Sequence, residues 1–334
     1  MKKNNNHAQI KPEQVWLPAS KSIFDWDSQG FYKIMLEDKI RVDAYKNAIT
    51  KVVKHGDIVL DLGTGTGILA KFALEAGASN VYGIEMSDVG KIAEKNFKKD
   101  FPDKFKLIKN ISYKVSLPGK ADVVLSEIIG NLGDNENLCE ILNDAQKRFL
   151  KRGGKMLPLR VETFLCPVSS RLIHKQIESH QFKNYPGCKP KKIGNPFNSY
   201  YDSLIPKKCE MAVPSKSNTF NFNGKDEVSY KKELEFKVLK NSLFTGFKGY
   251  FNAKLSTGIN LDISGETIGK DASSSWQHAY LPISNPFNVE KGDKIRLNYE
   301  RKSKDGMSQP SYFWEGEVYR GRIIVHTFKQ YSKS

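Results

Sequence analysis

The sequence lacks the long apolar run that a membrane-spanning helix needs. No stretch approaches about eighteen consecutive apolar residues, so we expect no membrane partner. The opening MKKNNNHAQIKPEQ has basic residues but no apolar segment behind them, and we therefore expect no secretory leader. Since 39% of the 334 residues are hydrophobic, the composition predicts a folded chain with the length for two domains, each with its own core.

Cysteine is scarce and scattered. The four cysteines, Cys139, Cys166, Cys188 and Cys209, form no CxxC pair, and no histidine stands at zinc-finger spacing. The sequence therefore predicts neither a disulfide framework nor a metal site. A reducing cytoplasm fits this cysteine usage, and the nucleus stays open as an alternative.

Acidic residues are outnumbered by basic ones. Fifty-three Lys and Arg residues against 37 Asp and Glu residues give a formal net charge of +16. Such a charge leaves nucleic acid or another polyanion open as a partner. No motif that combines basic and aromatic residues accompanies it, so we favour the simpler interpretation of a lysine-rich, solvated surface.

Strands alternate with helices between about residues 30 and 157, after a polar tail and lead-in over residues 1–29. The predicted strands are Ile58 to Leu60, Val81 to Ile84, Phe105 to Ile108, Val123 to Leu125 and Lys155 to Leu157, and the predicted helices are Ile34 to Val53, Ile68 to Glu75, Lys91 to Lys99 and Leu138 to Leu150. This alternation implies crossover connections and a mostly parallel, Rossmann-like sheet with ligands at the carboxyl ends of its strands.

Residues 158–334 follow a different pattern. Short alternating runs separated by Gly, Pro, Asn and Asp predict an all-β, barrel-like second domain. The clearest runs are Lys231 to Val238, Phe247 to Leu255, His278 to Ile283, Lys294 to Tyr299 and Phe313 to Arg320. Residues 185–208, with Pro186, Pro190 and Pro196, have no apolar periodicity and are predicted to be an excursion from this domain.

A glycine turn follows the first predicted strand. Asp61 closes the strand, Gly63, Gly65 and Gly67 form a GxGxG turn, and a helix begins directly after it. Glycines allow a tight turn and let a ligand approach the backbone closely. The spacing differs from the GxGxxG of dinucleotide sites, and Glu85 ends the next strand, where a carboxylate can accept from both ribose hydroxyls.

This series resembles the S-adenosylmethionine site of class I methyltransferases. The resemblance implies S-adenosylmethionine as the cofactor and implicates the following residues in its binding: Asp61, Gly63, Gly65, Gly67 and Glu85.

Three further segments resemble the protein arginine N-methyltransferases. Met35-Leu36-Glu37-Asp38-Lys39-Ile40-Arg41 is similar to the family's helix over the cofactor, and residues 126–136 are similar to its double-Glu loop. Ser274-Ser275-Trp276 stands where the family usually has Thr-His-Trp. The resemblance implies the following roles: Met35 and Arg41 in cofactor binding, with Arg41 on the methionine carboxylate, Glu127 and Glu136 in catalysis, and Ser274 and Trp276 in substrate binding.

Two carboxylates suit the chemistry of this family. A guanidinium is planar and protonated at any physiological pH, so it is a poor nucleophile. Paired hydrogen bonds from Glu127 and Glu136 would hold its plane and draw positive charge away from the attacking nitrogen. Positioning should then contribute more to the rate than proton transfer.

Some positions depart from the family. Ser275 replaces the usual His, and Tyr113 stands where a Glu usually accepts from the adenine amine. The family's aromatic segment over the cofactor is matched loosely by Phe24, Trp26, Phe31 and Tyr32. Met35 is typical of enzymes that make asymmetric dimethylarginine, whereas the loop over residues 130–136 is more similar to those that make the symmetric product, so only a first methyl transfer is predicted.

The sequence therefore predicts methyl transfer from S-adenosylmethionine to arginine in a protein or peptide substrate. Methylation of free arginine or a small guanidine, a catalytically weak cofactor-binding scaffold and a nucleic-acid-associated protein are the alternatives. The resemblance also implies a homodimer, with residues 185–208 as the dimerisation arm and Tyr200, Tyr201 and Leu204 as its apolar contacts.

Overall fold

The computed structural model describes residues 11–17, 29–184, 193–304 and 309–333. Its helices are α1 (Gln29–Glu37), α2 (Lys39–Val52), α3 (Ile68–Glu75), α4 (Gly90–Asp100), α5 (Leu138–Arg148) and α6 (Arg171–Glu178). Its strands are β1 (Ile58–Leu62), β2 (Asn80–Glu85), β3 (Phe105–Lys109), β4 (Ala121–Ser126), β5 (Leu150–Leu157), β6 (Arg160–Val168), β7 (Tyr201–Ser203), β8 (Ser215–Phe220), β9 (Tyr230–Lys237), β10 (Ser242–Ser256), β11 (Ile259–Asp262), β12 (His278–Val289), β13 (Lys294–Lys302), β14 (Ser311–Arg320) and β15 (Ile323–Ser332).

The first five strands form one parallel sheet in the order β3-β2-β1-β4-β5. The central strand β1 is apolar and almost entirely buried, as a strand covered on both faces requires. Because the strands are parallel, the carboxyl ends of β1, β2 and β4 meet at one edge of the sheet. Asp61, Glu85 and Glu127 therefore come together at that edge, where ligands of such sheets bind.

The remaining strands form two antiparallel sheets. One has the order β7-β12-β10-β6-β8 with β11 beside β10, and the other has the order β15-β14-β13-β9. A parallel sheet followed by antiparallel sheets confirms the predicted fold class. Helix α2 packs on β10 and β11, and one cluster of buried apolar side chains extends from the parallel sheet into both antiparallel sheets.

The predicted helix over Ile34 to Val53 is divided in two, which corrects that prediction. Asp38 separates α1 from α2 with an extended backbone, and its side chain accepts a hydrogen bond from the Arg41 N–H at 3.3 Å. A carboxylate at this position satisfies a backbone donor that the first turn of a helix leaves free. Asp38 thereby begins a new helix whose first turn carries Arg41.

The proposed contacts of the dimerisation arm lie inside the chain's own core. Tyr200, Tyr201 and Leu204 are all buried, and β7 pairs with β12. These side chains therefore offer no apolar face to a partner, contrary to our expectation. Residues 185–192 of the arm lie outside the described part of the chain.

Among the residues that the structure describes, no helix has the length and apolar character to cross a bilayer.

Candidate active site

The glycine turn between β1 and α3 forms one wall of a cavity of about 210 Å³. Gly63 and Gly65 line this cavity, and both have positive φ angles, +69° and +52°. A Cβ on Gly65 would lie 3.3 Å from the Tyr32 ring, which also lines the cavity. Glycine at these two positions thus keeps the backbone accessible to a ligand.

Gly67 has a different place from the one predicted. It does not line this cavity, and its φ of +87° lets α3 begin directly after the turn. A Cβ here would lie 2.6 Å from the Cβ of Ala93 on α4. The glycine therefore permits close packing of α3 against α4 and supports the site from outside.

Asp61 holds the glycine turn through two hydrogen bonds and, like Gly67, does not line the cavity. Its Oδ2 accepts hydrogen bonds from the Thr64 hydroxyl at 2.7 Å and the Ala70 N–H at 3.1 Å. Burial raises the pKa of Asp61 to about 7, although both hydrogen bonds act against that shift. The structure thus gives Asp61 a supporting place in the turn.

Glu85 lies in the cavity wall at the end of β2, as predicted. One carboxylate oxygen accepts from the Gly65 N–H at 3.0 Å, and the other accepts from the N–H and hydroxyl of Ser87, both at 2.9 Å. These bonds orient the carboxylate and tie it to the glycine turn. A carboxylate has about four acceptor positions, so one remains for a ligand's hydroxyl, on the oxygen that binds the Gly65 N–H.

Arg41 forms a buried ion pair with Glu127. Its guanidinium carbon lies 5.4 Å from the centroid of the Trp276 ring. The Nη1 atom is buried and has no hydrogen-bond partner among the described residues. Arg41 does not itself line the cavity, although its partner Glu127 does. A buried guanidinium nitrogen without a partner is costly, so this atom has the chemistry to bind an anionic group of a ligand.

Glu127 and Glu136 both line the cavity, together with Met35. Burial raises the pKa of Glu127 to about 7, with Arg41 acting against the shift. Burial and then the charge of Glu127 raise the pKa of Glu136 to about 8. Two buried carboxylates with raised pKa values in one cavity favour a cationic ligand, because a cation stabilises the ionised form of both.

Trp276 and Ser274 do not line the cavity, and their contact with substrate stays a prediction. The Trp276 indole N–H donates to the Ile129 carbonyl at 2.7 Å, and its ring faces Arg41. The guanidinium beside this ring is therefore the protein's own. Trp276 supports the double-Glu loop and the Arg41 side chain together.

Ser275 occupies the position of the family's usual His and binds Asp38. Its N–H and hydroxyl donate to Asp38 Oδ2 at 3.0 and 2.6 Å, and the Ser273 hydroxyl donates to the same oxygen. Asp38 in turn caps the helix that carries Arg41. Sequence reasoning missed Asp38 and Ser273, although an Asp three residues before Arg41 is a helix-start signal.

Tyr113, the residue that replaces the family's usual Glu, lines the cavity. Arg148 holds the neighbouring backbone by donating to the Ser112 carbonyl at 2.8 Å. Sequence reasoning missed several polar residues of the wall, whose side chains come from four separate segments: Ser87, Asn110, Asn137 and Gln309.

Among the aromatic residues predicted to cover the cofactor, Tyr32 lines the cavity. Phe24, Trp26 and the side chain of Phe31 lie outside the described residues.

Two protein-family models match the chain, one in each half. The model of the ribosomal protein L11 methyltransferase (PrmA) matches residues 46–157, and the model of the PRMT5 oligomerisation domain matches residues 160–323. The two matches meet between β5 and β6, where the parallel sheet ends and the antiparallel sheets begin.

Known proteins resemble the chain over most of its length. Protein arginine N-methyltransferase PRMT10 of Arabidopsis thaliana is 29% identical over 301 residues, which cover 79% of this chain and 78% of the relative. The solved structure of Arabidopsis thaliana protein arginine methyltransferase 10 superimposes with a TM-score of 0.78 at 23% identity, over 90% of this chain and 96% of that one. The Trypanosoma brucei PRMT1 enzyme-prozyme heterotetrameric complex with AdoHcy superimposes with a TM-score of 0.78 at 19% identity, over 92% of this chain and 100% of that one.

Proposed function

Because the chain belongs to the protein arginine N-methyltransferase family, we propose that it methylates arginine side chains of protein substrates, with Glu127 and Glu136 positioning the guanidinium. The observation that carries this proposal is the pair of carboxylates in the lining of the cavity that the glycine turn and Glu85 also line. Glu127 is paired with Arg41, and a neutral acceptor would leave Glu136 buried beside Glu127 without a cation of its own. A guanidinium offers each of them a donor and a positive charge.

The cavity and the residues beside it have the groups that S-adenosylmethionine requires. Arg41, which does not line the cavity but pairs with Glu127 in its wall, has a buried nitrogen for the methionine carboxylate, and Glu85 has a remaining acceptor position for a ribose hydroxyl. Gly63 and Gly65 leave room against the backbone, and Tyr113 lines the end that remains for adenine. When bound, S-adenosylmethionine supplies a methyl group activated by a positively charged sulfur.

The two carboxylates act on the acceptor. A guanidinium held by Glu127 and Glu136 keeps one fixed plane, with its positive charge drawn toward the acids and one nitrogen presented to the cofactor side. Orientation of this kind contributes about 7 to 11 kcal/mol in the most favourable cases, more than a single proton transfer supplies. After methyl transfer, the nitrogen loses a proton, and Glu136, with its raised pKa, has the proton affinity to receive it.

Three alternatives remain open beside this proposal: methylation of free arginine or a small guanidine, a catalytically weak scaffold, and a nucleic-acid acceptor. Incubation with methyl-labelled cofactor and three separate acceptors distinguishes them. We expect label on an arginine-containing peptide and none on RNA. Label on free arginine at an equal or higher rate would identify a small-molecule enzyme, and no label on any acceptor would identify a scaffold.

We predict that methyl transfer rises with pH through the interval from about 7 to 8. Below it the two acids are protonated and cannot pair with the guanidinium charge, and above it both are ionised. The measurement is kcat/KM for the acceptor against pH, which reports the free enzyme. In Glu136→Gln the upper part of this rise should disappear, whereas an unchanged profile would contradict the assignment.

The free energy of unfolding should fall as pH rises, whereas the rate of methyl transfer should increase. Both acids have folded-state pKa values above the ordinary value of 4.5, so their stabilising contribution is complete below that pH. It is lost as pH rises toward the folded-state pKa values of about 7 and 8, because the unfolded chain then ionises more easily. Between the ordinary pKa of 4.5 and the folded-state value of about 8, the melting temperature of Glu136→Gln should therefore depend less on pH than that of the parental chain.

We also propose that the protein forms a homodimer. The match to an oligomerisation domain over residues 160–323 supports it. We predict a dimer by light scattering at micromolar concentration and a monomer after deletion of residues 185–192, a deletion that leaves β7 intact. A parental chain that is already monomeric would contradict the homodimer, and a dimeric deletion variant would contradict the role of this segment.

A further inference from the structure

Three side chains form a row across the second antiparallel sheet. In the strand register, Arg301 on β13 stands directly opposite Tyr230 on β9 and directly opposite Tyr312 on β14. All three are buried, and Arg301 has no exposed side-chain surface. Cross-strand neighbours in register lie on the same face of a sheet. The row therefore presents two hydroxyls and a guanidinium toward a single place.

That place is Asp134, a residue of the double-Glu loop. The Tyr230 hydroxyl donates to Asp134 Oδ2 and the Tyr312 hydroxyl to Oδ1, both at 2.7 Å. Arg301 Nε lies 3.1 Å from Oδ2, and Arg301 Nη2 donates to the Asp134 backbone carbonyl at 2.8 Å. We call Asp134, Tyr230, Arg301 and Tyr312 the Asp134 cluster. Both oxygens of this carboxylate and its main chain are thus held by one sheet.

Arg301 also binds Glu140, which follows Glu136 in the chain. Its Nη1 and Nη2 donate to the carboxylate oxygens of Glu140 at 3.0 and 3.2 Å. Asp134 and Glu140 lie two residues before and four residues after Glu136. One guanidinium therefore joins the segments on both sides of the second acid of the loop.

The loop's own backbone needs this support. Gly133 has a φ of +82°, and Asn137, next to Glu136, has a φ of +60°. A non-glycine residue in the left-handed region costs free energy and persists only where neighbouring contacts determine it. A second set of bonds joins Asn131 to Asp202 and Asn135 to Tyr200. The conformation that places Glu136 in the cavity lining is thus held by bonds from outside the loop as well as by bonds within it, such as the Leu132 N–H to Asn135 Oδ1.

Stability alone is a weak explanation for the cluster. Burying a carboxylate and a guanidinium costs much of what their attraction returns, and apolar replacements are often equally stable. A row of hydrophobic residues would close this part of the core without directing the loop. The two hydroxyl bonds and the ion pair with Arg301, by contrast, fix the Asp134 carboxylate in direction as well as in place.

We infer that the Asp134 cluster is a positioning device, through which the second antiparallel sheet sets the geometry of Glu136 for methyl transfer. Its members do not line the cavity and so act on the reaction only through the loop. This inference rests on the proposed function, because it assigns Glu136 a role at the acceptor. A displacement of the order of an ångström at a reacting group costs up to about a hundredfold in rate.

The test replaces Tyr230 and Tyr312 by Phe, singly and together, because Phe keeps the ring and removes only the hydroxyl. We expect kcat to fall about tenfold for each change and about a hundredfold for both, with the cofactor's dissociation constant unchanged. Tyr280→Phe is the matched control, since it removes a buried hydroxyl that donates to the Thr245 carbonyl at 2.6 Å, in the other antiparallel sheet. It should lower the melting temperature similarly and leave kcat unchanged.

A double-mutant cycle with Glu136→Gln identifies the route. If the cluster acts through Glu136, the Tyr→Phe changes will lower the single-turnover rate in the parental chain and add little in Glu136→Gln. Equal losses in both backgrounds would overturn the inference, as would Tyr→Phe variants whose kcat equals that of Tyr280→Phe. If Glu136→Gln itself keeps the parental rate, the proposed function fails instead, which is a separate result.

Discussion

Glu136→Gln is expected to lower methyl transfer to an arginine peptide by about two to four orders of magnitude. Gln keeps the shape of the side chain and most of its hydrogen bonding but removes the charge that pairs with the guanidinium. Loss of one buried, hydrogen-bonded ion pair typically costs about 3 to 5 kcal/mol, which gives this range. Steady-state rates at saturating cofactor measure it, and calorimetry should show unchanged cofactor affinity.

Glu127→Gln should lower the rate by a similar factor but should not leave cofactor binding untouched. Glu127 is paired with Arg41, the residue we assign to the methionine carboxylate, so its neutralisation changes the charge around that guanidinium. Glu162→Gln, which neutralises a surface carboxylate beside Lys216, is the control. Near-parental rates in both Glu127→Gln and Glu136→Gln would contradict the double-Glu mechanism.

Arg41→Ala is expected to raise the dissociation constant of S-adenosylmethionine by about a hundredfold or more. The change removes Nη1, the buried nitrogen that we assign to the cofactor's carboxylate. It also leaves the buried Glu127 carboxylate without its cation. Thermal melts with and without cofactor separate the two effects. The parental chain should gain stability from the ligand by mass action, whereas Arg41→Ala should melt lower and gain almost nothing.

Two further variants define the role of Arg41. Arg41→Lys keeps the charge but not the planar, forked donor set. Its cofactor affinity should therefore lie between those of the parental chain and Arg41→Ala. Lys39→Ala changes an exposed residue on the same helix and should behave as the parental chain. A ligand-induced shift in Arg41→Ala equal to the parental shift would exclude Arg41 from the cofactor site.

The parallel sheet and its active edge could be predicted from the sequence because their signals are local. Apolar runs closed by Asp61 and Glu85 define strand ends, and the glycine spacing defines the turn. Parallel strands then bring consecutive strand ends to one edge, whatever the rest of the chain does. Local signals of this kind place four residues that line the cavity from this edge: Gly63, Gly65, Glu85 and Glu127.

Residues that act over long sequence distances could not be placed in this way. Trp276 was predicted to bind substrate, and the structure also places Arg41, 235 positions earlier, beside its ring. Nothing in the sequence pattern shows that this guanidinium lies there. The bonds of Asp134 to Arg301 depend likewise on strand register across a sheet, which periodicity alone does not fix.

The break at Asp38 could have been found. Apolar residues recur on both sides of it, and this periodicity favoured one continuous helix over Ile34 to Val53. The competing signal was the capping residue, whose side chain satisfies the Arg41 N–H and also accepts from Ser275. Capping chemistry decided the local structure, and it also fixed the position of Arg41.

Mass spectrometry of an arginine-containing peptide, after incubation with the protein and methyl-labelled S-adenosylmethionine, tests the central claim most directly. Fragmentation should place the label on a guanidino nitrogen, and a matched peptide with Lys in place of Arg should stay unlabelled. Under the same conditions Glu136→Gln should bind cofactor and leave the arginine peptide unmodified. Label on the lysine peptide, or full labelling of arginine by Glu136→Gln, would contradict the account.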